Sequence, residues 1–515
     1  MVAWGEGSHL GLPVRWCFSA AADGSWREET VAKEVTFCWG HATAARHTWE
    51  QDPSGCSAQL ELDDEEVQLL SAFVRSGFWL RPEAGTLLEV TLCEGMSREE
   101  AEEAAAEATA PAFSPGPLAH LRLRLREGGR LVARLRVCGT SGVAQSMWLR
   151  MAHEMEVWRW HSTPGWALPS LTLRATASGA RDVYRTDGFR PPSPLPAELF
   201  MPPVAGPSPA GATFDATASP RVPVERSYSG HALVPVEING KAAGLAILDT
   251  GASGLVITRA AADAAGLEAF GKVFVSSVTE KLACRFRRAA TVRVGPLTLH
   301  SPLLMEMEMA SLASGASQPV IGIVGYDIFR RAVVDLPPRP ALYVELYDPA
   351  TWQPPAAPAW RWLDVAMVSN VPHLRARWHG AEEEGEGELL MLDSGAGGAD
   401  AMFHARTVER LGLAAVGTFG GMTVLRGVSA SGGGPARLQS NSTQRRSLDW
   451  LELLPARGRQ APVRFEGPVE VLLLGQKAQF DLSEHMAGVV GTSLLCRTRF
   501  VCDYGRRRVA FVEDG

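Results

Sequence analysis

The chain has 515 residues, 46% of them hydrophobic and 21% charged, with a net charge of −7. That length predicts two to four globular units, each able to bury a sizeable core. The negative balance without a long basic run argues against nucleic acid, no stretch offers the roughly 20 apolar residues of a membrane-spanning helix, and the eight cysteines form neither a dense disulfide pattern nor a C-x-x-C metal pair.

In chain order, residues 1–190 read as a β-rich N-terminal domain. Met1 to Ala20 has no basic start followed by an apolar core, so no secretory leader is expected and no compartment is assigned. Leu121-Arg-Leu-Arg-Leu-Arg126 and Leu131-Val-Ala-Arg-Leu-Arg-Val137 alternate apolar and basic residues, the period of strands with one buried face. Ser97 to Ala110 reads as a short acidic helix, with Ser97 as N-cap and Glu100 at the capping-box position. Trp148, Trp158, Trp160 and Trp166 are expected in the core or at sheet edges rather than in a binding stripe. Residues 191–226 are dense in Pro, Ala, Ser and Gly and predict a partly extended linker.

Beyond the linker the sequence repeats itself, over 227–347 and 360–515, with a second Pro-rich piece at 348–359 between the halves. In the first half, Ala232-Leu-Val-Pro-Val-Glu-Ile-Asn-Gly240 predicts a strand and an Asn-Gly turn. An apolar strand then ends at Asp249, and Thr258 to Leu267 predicts a short helix. The second half predicts a strand ending at Asp393 and a helix from Ala405 that stops near Gly412. Later, Val320-Ile-Gly-Ile-Val-Gly-Tyr-Asp-Ile-Phe329 is echoed by Ala487-Gly-Val-Val-Gly-Thr-Ser-Leu-Leu495. Each echo is followed by an Asp-bearing strand (Asp335, Asp503) and a final apolar strand.

The chemistry concentrates in two near-identical words, Leu245-Ala-Ile-Leu-Asp-Thr-Gly-Ala-Ser253 and Leu389-Leu-Met-Leu-Asp-Ser-Gly-Ala-Gly397. An Asp at the end of an apolar strand is costly to bury alone, so its appearance twice asks for a partner. The following Thr250 or Ser394 can hydrogen-bond across an interface, and Gly251 or Gly395 allows a second backbone close by.

These words, with Ile323-Val324-Gly325 and Val489-Val490-Gly491 lying 76 and 98 residues after their aspartates, resemble the aspartic peptidase superfamily over residues 228–515, nearer retropepsin-like bacterial members than pepsins. The resemblance implies a mainly β fold: a two-lobed pair of pepsin/retropepsin-like β-barrels, here preceded by the separate N-terminal domain. It implies that Asp249 and Asp393 are the catalytic pair, that Thr250, Gly251, Ser394 and Gly395 support them, and that the two apolar-apolar-Gly segments thread ψ-shaped loops behind them. It implies peptide or protein substrates, one active site within a single chain, and no cofactor or metal. Two carboxyls sharing one proton would activate a water as general base and polarise the amide carbonyl as general acid.

Ala252 and Ala396 stand where pepsin-like enzymes usually carry Ser or Thr, so neither carboxyl gains a hydroxyl donor there, and a mildly acidic to near-neutral optimum is expected. In the stretch Val273 to Lys281, where pepsin-like flaps carry a Tyr, there is none, and Gly417 to Gly434 is the Gly-rich segment of the second lobe. The N-terminal domain resembles lipoprotein-carrier-like half-barrels at Trp26-Arg-Glu-Glu29, Trp166-Ala-Leu-Pro169 and Leu199-Phe-Met-Pro-Pro203. Two other readings stay open: a catalytically silent binding protein on the protease fold, and a carrier of apolar ligands led by the N-terminal domain. His41, His47, His153 and His161 form no H-E-x-x-H arrangement, which argues against a metalloenzyme.

Overall fold

The computed structural model describes residues 1–53, 55–93, 117–149, 154–160, 169–176, 181–190, 194–203, 211–228, 230–276, 281–307, 316–356, 360–380, 386–429, 437–455, 461–475 and 483–512. The acidic helix expected at Ser97 to Ala110, and Trp166, lie outside them. The described chain is mainly β. It divides into two compact units, Met1–Ala205 with Leu482–His485, and Gly206–Asp481 with Met486–Gly515.

Among the described residues the first unit holds one antiparallel sheet of 13 strands, in which the first of them, Val2–His9, pairs with the last, Arg181–Arg190. The arginine-alternating stretch forms Leu118–Leu125 and Ala133–Cys138, with Leu123, Ala133 and Leu135 in the core. Trp158 is fully buried there too. Among the described residues one long helix, Leu62–Arg75, links the two edge strands Ser57–Gln59 and Leu88–Leu92. Its stripe of Leu69, Leu70, Phe73 and Val74 packs on Trp26, Leu135 and Met147. This helix touches His47–Gln51 near one edge of the sheet and Leu118–Leu125 near the other. Ten strand spacings of about 4.8 Å would separate those strands by about 48 Å in a flat sheet, against a helix about 10–12 Å thick, so the sheet curls around the helix.

Charged residues share that interior. Arg75 Nη2 lies 2.6 Å from Glu28 Oε2, and Arg174 Nε lies 2.7 Å from Glu156 Oε1, which also accepts from Ser71 at 2.9 Å. Burial alone would raise the Glu28 carboxyl, but Arg75 and then Arg174 outweigh it and hold it at about 2. A folded pKa below the ordinary 4.5 means that this stabilisation, about 3 kcal/mol, is in place above pH 4.5 and is lost as pH falls to about 2. Arg75→Met is therefore expected to destabilise the first unit by about 3–5 kcal/mol in neutral urea unfolding, because it strands a buried carboxylate. The difference from wild type should shrink between pH 4.5 and 2; a difference constant across that window would mean the pair is not the cause.

The Pro-rich stretch contributes short elements to both units. Ala197–Phe200 forms a 3-10 turn whose Phe200 carbonyl accepts from Trp49 Nε1 at 2.7 Å. Ala212–Phe214 and Arg221–Pro223 pair at sheet edges of the second unit, where extended, proline-rich backbone is tolerated.

The second unit carries the repeat as two lobes. Ala232–Ile238 and Lys241–Leu248 form a hairpin whose turn residues Asn239 and Gly240 have φ of 52° and 75°, the left-handed pair that Asn-Gly favours. Thr258 caps the helix Arg259–Ala264 by accepting from the Ala261 amide. In the second lobe the helix is Ala405–Arg410, and Gly412 follows at φ 61°. A six-stranded sheet joins the lobes, running Arg221–Pro223, Tyr343–Tyr347, Val333–Leu336, Arg499–Asp503, Arg508–Val512 and Trp360–Asp364. One core cluster extends through both lobes, from Val234 and Leu248 to Leu392 and Val490.

Candidate active site

Each Asp-bearing strand is held from behind in the same way. Val320–Val324 runs parallel to Lys241–Leu248 on one side and antiparallel to Leu255–Ile257 on the other. Ile323 faces Ile247 and Val256, and Val324 faces Leu248 and Leu255. In the second lobe Met486–Gly491 runs parallel to Glu388–Asp393 and antiparallel to Ala401–Phe403. There Val489 faces Met391 and Met402, Val490 faces Leu392 and Ala401, and Gly491 faces Asp393. Both threaded strands end in glycine for a steric reason: a Cβ on Gly325 would sit 2.4 Å from the Ala252 carbonyl oxygen, and one on Gly491 2.7 Å from that of Ala396.

These frames bring Asp249 and Asp393 together. A Cβ on Gly251 would lie 2.4 Å from the Asp393 Cγ, and one on Gly395 would lie 2.5 Å from the Asp249 Cγ. Each carboxyl therefore rests against the glycine of the other lobe's loop, and the two hydrogen-bond to each other. Gly251 N–H donates to Asp249 Oδ1 at 2.8 Å, and Gly395 N–H to Asp393 Oδ1 at 2.7 Å.

Beneath the carboxyls, Thr250 and Ser394 lock the loops in a reciprocal set of four bonds. Thr250 N–H donates to Ser394 Oγ at 3.0 Å, and Ser394 N–H to Thr250 Oγ1 at 2.8 Å. The Thr250 hydroxyl donates to the Leu392 carbonyl at 2.8 Å, and the Ser394 hydroxyl to that of Leu248 at 3.0 Å. Both side chains are buried, so these bonds face no competition from water.

The electrostatics follow from the packing. Burial first, then the charge of Asp393 and the hydrogen bond to it, raise Asp249 well above the usual carboxylate range. Burial also raises Asp393, but the hydrogen bond from Asp249 and the amides of Gly395 and Ala396 oppose the rise. The pair as a unit is therefore pushed toward holding a proton to higher pH than a free carboxyl would.

Asp335 and Asp503 belong to the six-stranded sheet, where Arg499 Nε lies 2.9 Å from Asp335 and Arg506 and Arg508 each lie 3.0 Å from Asp503. Of the stretch lacking a flap tyrosine, residues 273–276 and Lys281 lie on the paired strands Ala269–Ser276 and Lys281–Arg288, and of the Gly-rich segment, residues 418–429 form Thr418–Ser429, which pairs with Arg437–Leu454; residues 277–280 and 430–434 lie outside the described residues. Two residues near the pair escaped the sequence reading. Tyr504 donates its hydroxyl to the Thr250 carbonyl at 3.3 Å, and His231 Nε2 lies 2.8 Å from the Gly395 carbonyl oxygen. His231 sits one residue before a strand chosen for its apolar alternation, so only register against the second repeat could have drawn attention to it.

Residues 234–328, most of the first lobe, match the aspartyl protease family profile. The chain is also similar to the crystal structure of aspartic proteinase from Irpex lacteus, at 13% identity and a TM-score of 0.34, over 57% of this chain and 96% of that one. No curated protein matches the chain. Among the described residues, no helix is long and apolar enough to cross a membrane.

Proposed function

We propose that the second unit is an aspartic-type endopeptidase that hydrolyses peptide bonds in peptide or protein substrates at a single site shared by its two lobes. The observation that carries this reading is the mutual seating of the two carboxyls, each packed on the other lobe's glycine and hydrogen-bonded to its counterpart. Two carboxyls so placed cannot both ionise, so one proton is shared. The charged member of the pair takes a proton from a water held between the two, and the water oxygen attacks the amide carbon. The protonated member donates its proton toward the carbonyl oxygen, offsetting the charge that develops there. Protonation of the leaving nitrogen then releases the amine and restores the pair. Asp249, Asp393, Thr250, Gly251, Ser394 and Gly395 carry these roles, with Ile323, Val324, Gly325, Val489, Val490 and Gly491 as the ψ-loop supports.

The test is incubation of the purified chain with a peptide library from pH 3 to 8, with and without a statine-type inhibitor. Because burial raises both carboxyls and the charge of Asp393 raises Asp249 further, the singly protonated pair should persist into the mildly acidic to near-neutral range. The expected kcat/KM profile peaks there and is abolished by the inhibitor. A profile peaking near pH 3 contradicts the electrostatics, and cleavage indifferent to a statine contradicts the reading itself.

A further inference from the structure

The two loops that carry the carboxyls match, but what lies beneath them does not. Asp335 and Asp503 occupy equivalent places on the two central strands of the shared sheet, and Val333 and Val501, two residues before them, pack together on one face of it. The next residues, Leu336 and Tyr504, therefore correspond as well. Tyr504, from the second half of the repeat, is buried against Tyr326 and Phe329 of the first lobe, with ring centroids 6.5 and 5.2 Å away and the closer pair stacked. Its hydroxyl donates to the Thr250 carbonyl at 3.3 Å. Leu336 has nothing to donate. It lines a small cavity with Ser394, Thr492 and Leu495, the counterparts of Thr250, Tyr326 and Phe329.

The Thr250 carbonyl and the Gly251 N–H are the two ends of one planar peptide. The N–H end donates to Asp249 Oδ1 at 2.8 Å. A bond at each end removes the freedom of that plane to rotate, so the phenol sets the direction in which the Gly251 N–H points. The Thr250 hydroxyl and N–H are already engaged with Leu392 and Ser394, which leaves the carbonyl as the handle for Tyr504. A separation of 3.3 Å is long for a hydroxyl donor, so the contribution is one of orientation, backed by the stack on Phe329. Burial, and after it the acidic groups of Cys502, Asp249 and Asp393, hold the phenol well above its ordinary range. It stays a donor wherever the carboxyl pair would work.

We propose that Tyr504 is a positioning residue that reaches from the second lobe to orient the Thr250–Gly251 peptide and, through it, the Asp249 carboxyl. The assignment rests on the protease reading for its effect on rate, and on the two bonds to one peptide for its cause.

Tyr504→Phe tests it, because it keeps the ring stack and removes only the hydroxyl. It should lower kcat by about 10-fold with KM changed less than about twofold, since a misdirected carboxyl impairs the chemical step more than substrate binding. The Gly251 N–H holds Asp249 down, so loss of its alignment should move the carboxyl titration of the pair up by about half a pH unit, followed by ¹³C NMR of labelled aspartates. Val294→Ala supplies the control: it is fully buried in the first-lobe core, on a strand that does not border the Asp249 strand. It should lower the melting temperature at least as far as Tyr504→Phe while leaving kcat and the titration in place. A kcat that follows the melting temperature alike in both variants, or a titration unmoved in Tyr504→Phe, overturns the assignment. A wild-type chain that cleaves no peptide removes the protease reading, and the titration alone then decides whether Tyr504 orients Asp249.

Discussion

Asp249→Asn is expected to lower kcat by about 10³–10⁴-fold or more while raising the melting temperature at neutral pH. The loss follows from the proton inventory: Asn can neither hold the shared proton nor pass it to the carbonyl oxygen, and general acid–base assistance is worth about 10²–10⁴-fold for a single group. The gain follows from the same packing that places the pair. Both carboxyls have folded pKa values above the ordinary 3.8, Asp249 the more so. A raised folded pKa gives stability that is complete below pH 3.8 and is lost as pH rises through the folded value, so at neutrality the pair carries a cost that the rest of the unit must offset. Asparagine does not ionise in either state, so it removes the Asp249 part of that cost and keeps the shape. Thermal unfolding from pH 3.5 to 8 should show wild type falling away from the variant as pH rises. Parallel curves would mean that the pair is not strained, and retained cleavage would mean that water is activated elsewhere.

Much of this geometry is written in the sequence because it depends on short, local words. Asn239-Gly240 specifies a left-handed turn, Thr258 caps its helix, and the glycines at 325 and 491 permit a backbone contact that no Cβ survives. The meeting of Asp249 and Asp393 could be inferred only because the word occurs twice; neither occurrence encodes the other's position. What stayed hidden depends on side chains that cross between elements. Arg75, Glu28, Arg174 and Glu156 lie far apart in the chain, and nothing in their local spacing says that a 13-stranded sheet will gather them around one helix. His231 is a lone polar residue beside an apolar run, and its reach to Gly395 exists only once the lobes are docked.

The docking of the lobes is itself exposed to a single substitution. Thr250→Val keeps the volume and branching of the side chain but removes the hydroxyl that accepts from Ser394 N–H and donates to the Leu392 carbonyl. Both of those backbone groups would then be buried without a partner, each at about 1–3 kcal/mol. The expected cost is about 2–5 kcal/mol in the stability of the second unit, read by urea unfolding. The consequence for activity is separate and larger in proportion. Thr250 and Ser394 lie directly beside Asp249 and Asp393 in the chain, so a loosened bond set displaces the carboxyls relative to each other, and a displacement of about 1 Å can cost about 10²-fold in rate. Thr250→Ser should retain most of both properties because it restores the hydroxyl. Ser394→Ala removes the reciprocal half of the set, leaving Thr250 N–H and the Leu248 carbonyl unpaired. Combined with Thr250→Val it should cost clearly less than the sum of the two single changes, because the four bonds stand or fall as one unit. Strict additivity in that cycle would mean that the two lobes are held together by their shared sheet and core, with the hydroxyl pair contributing only locally.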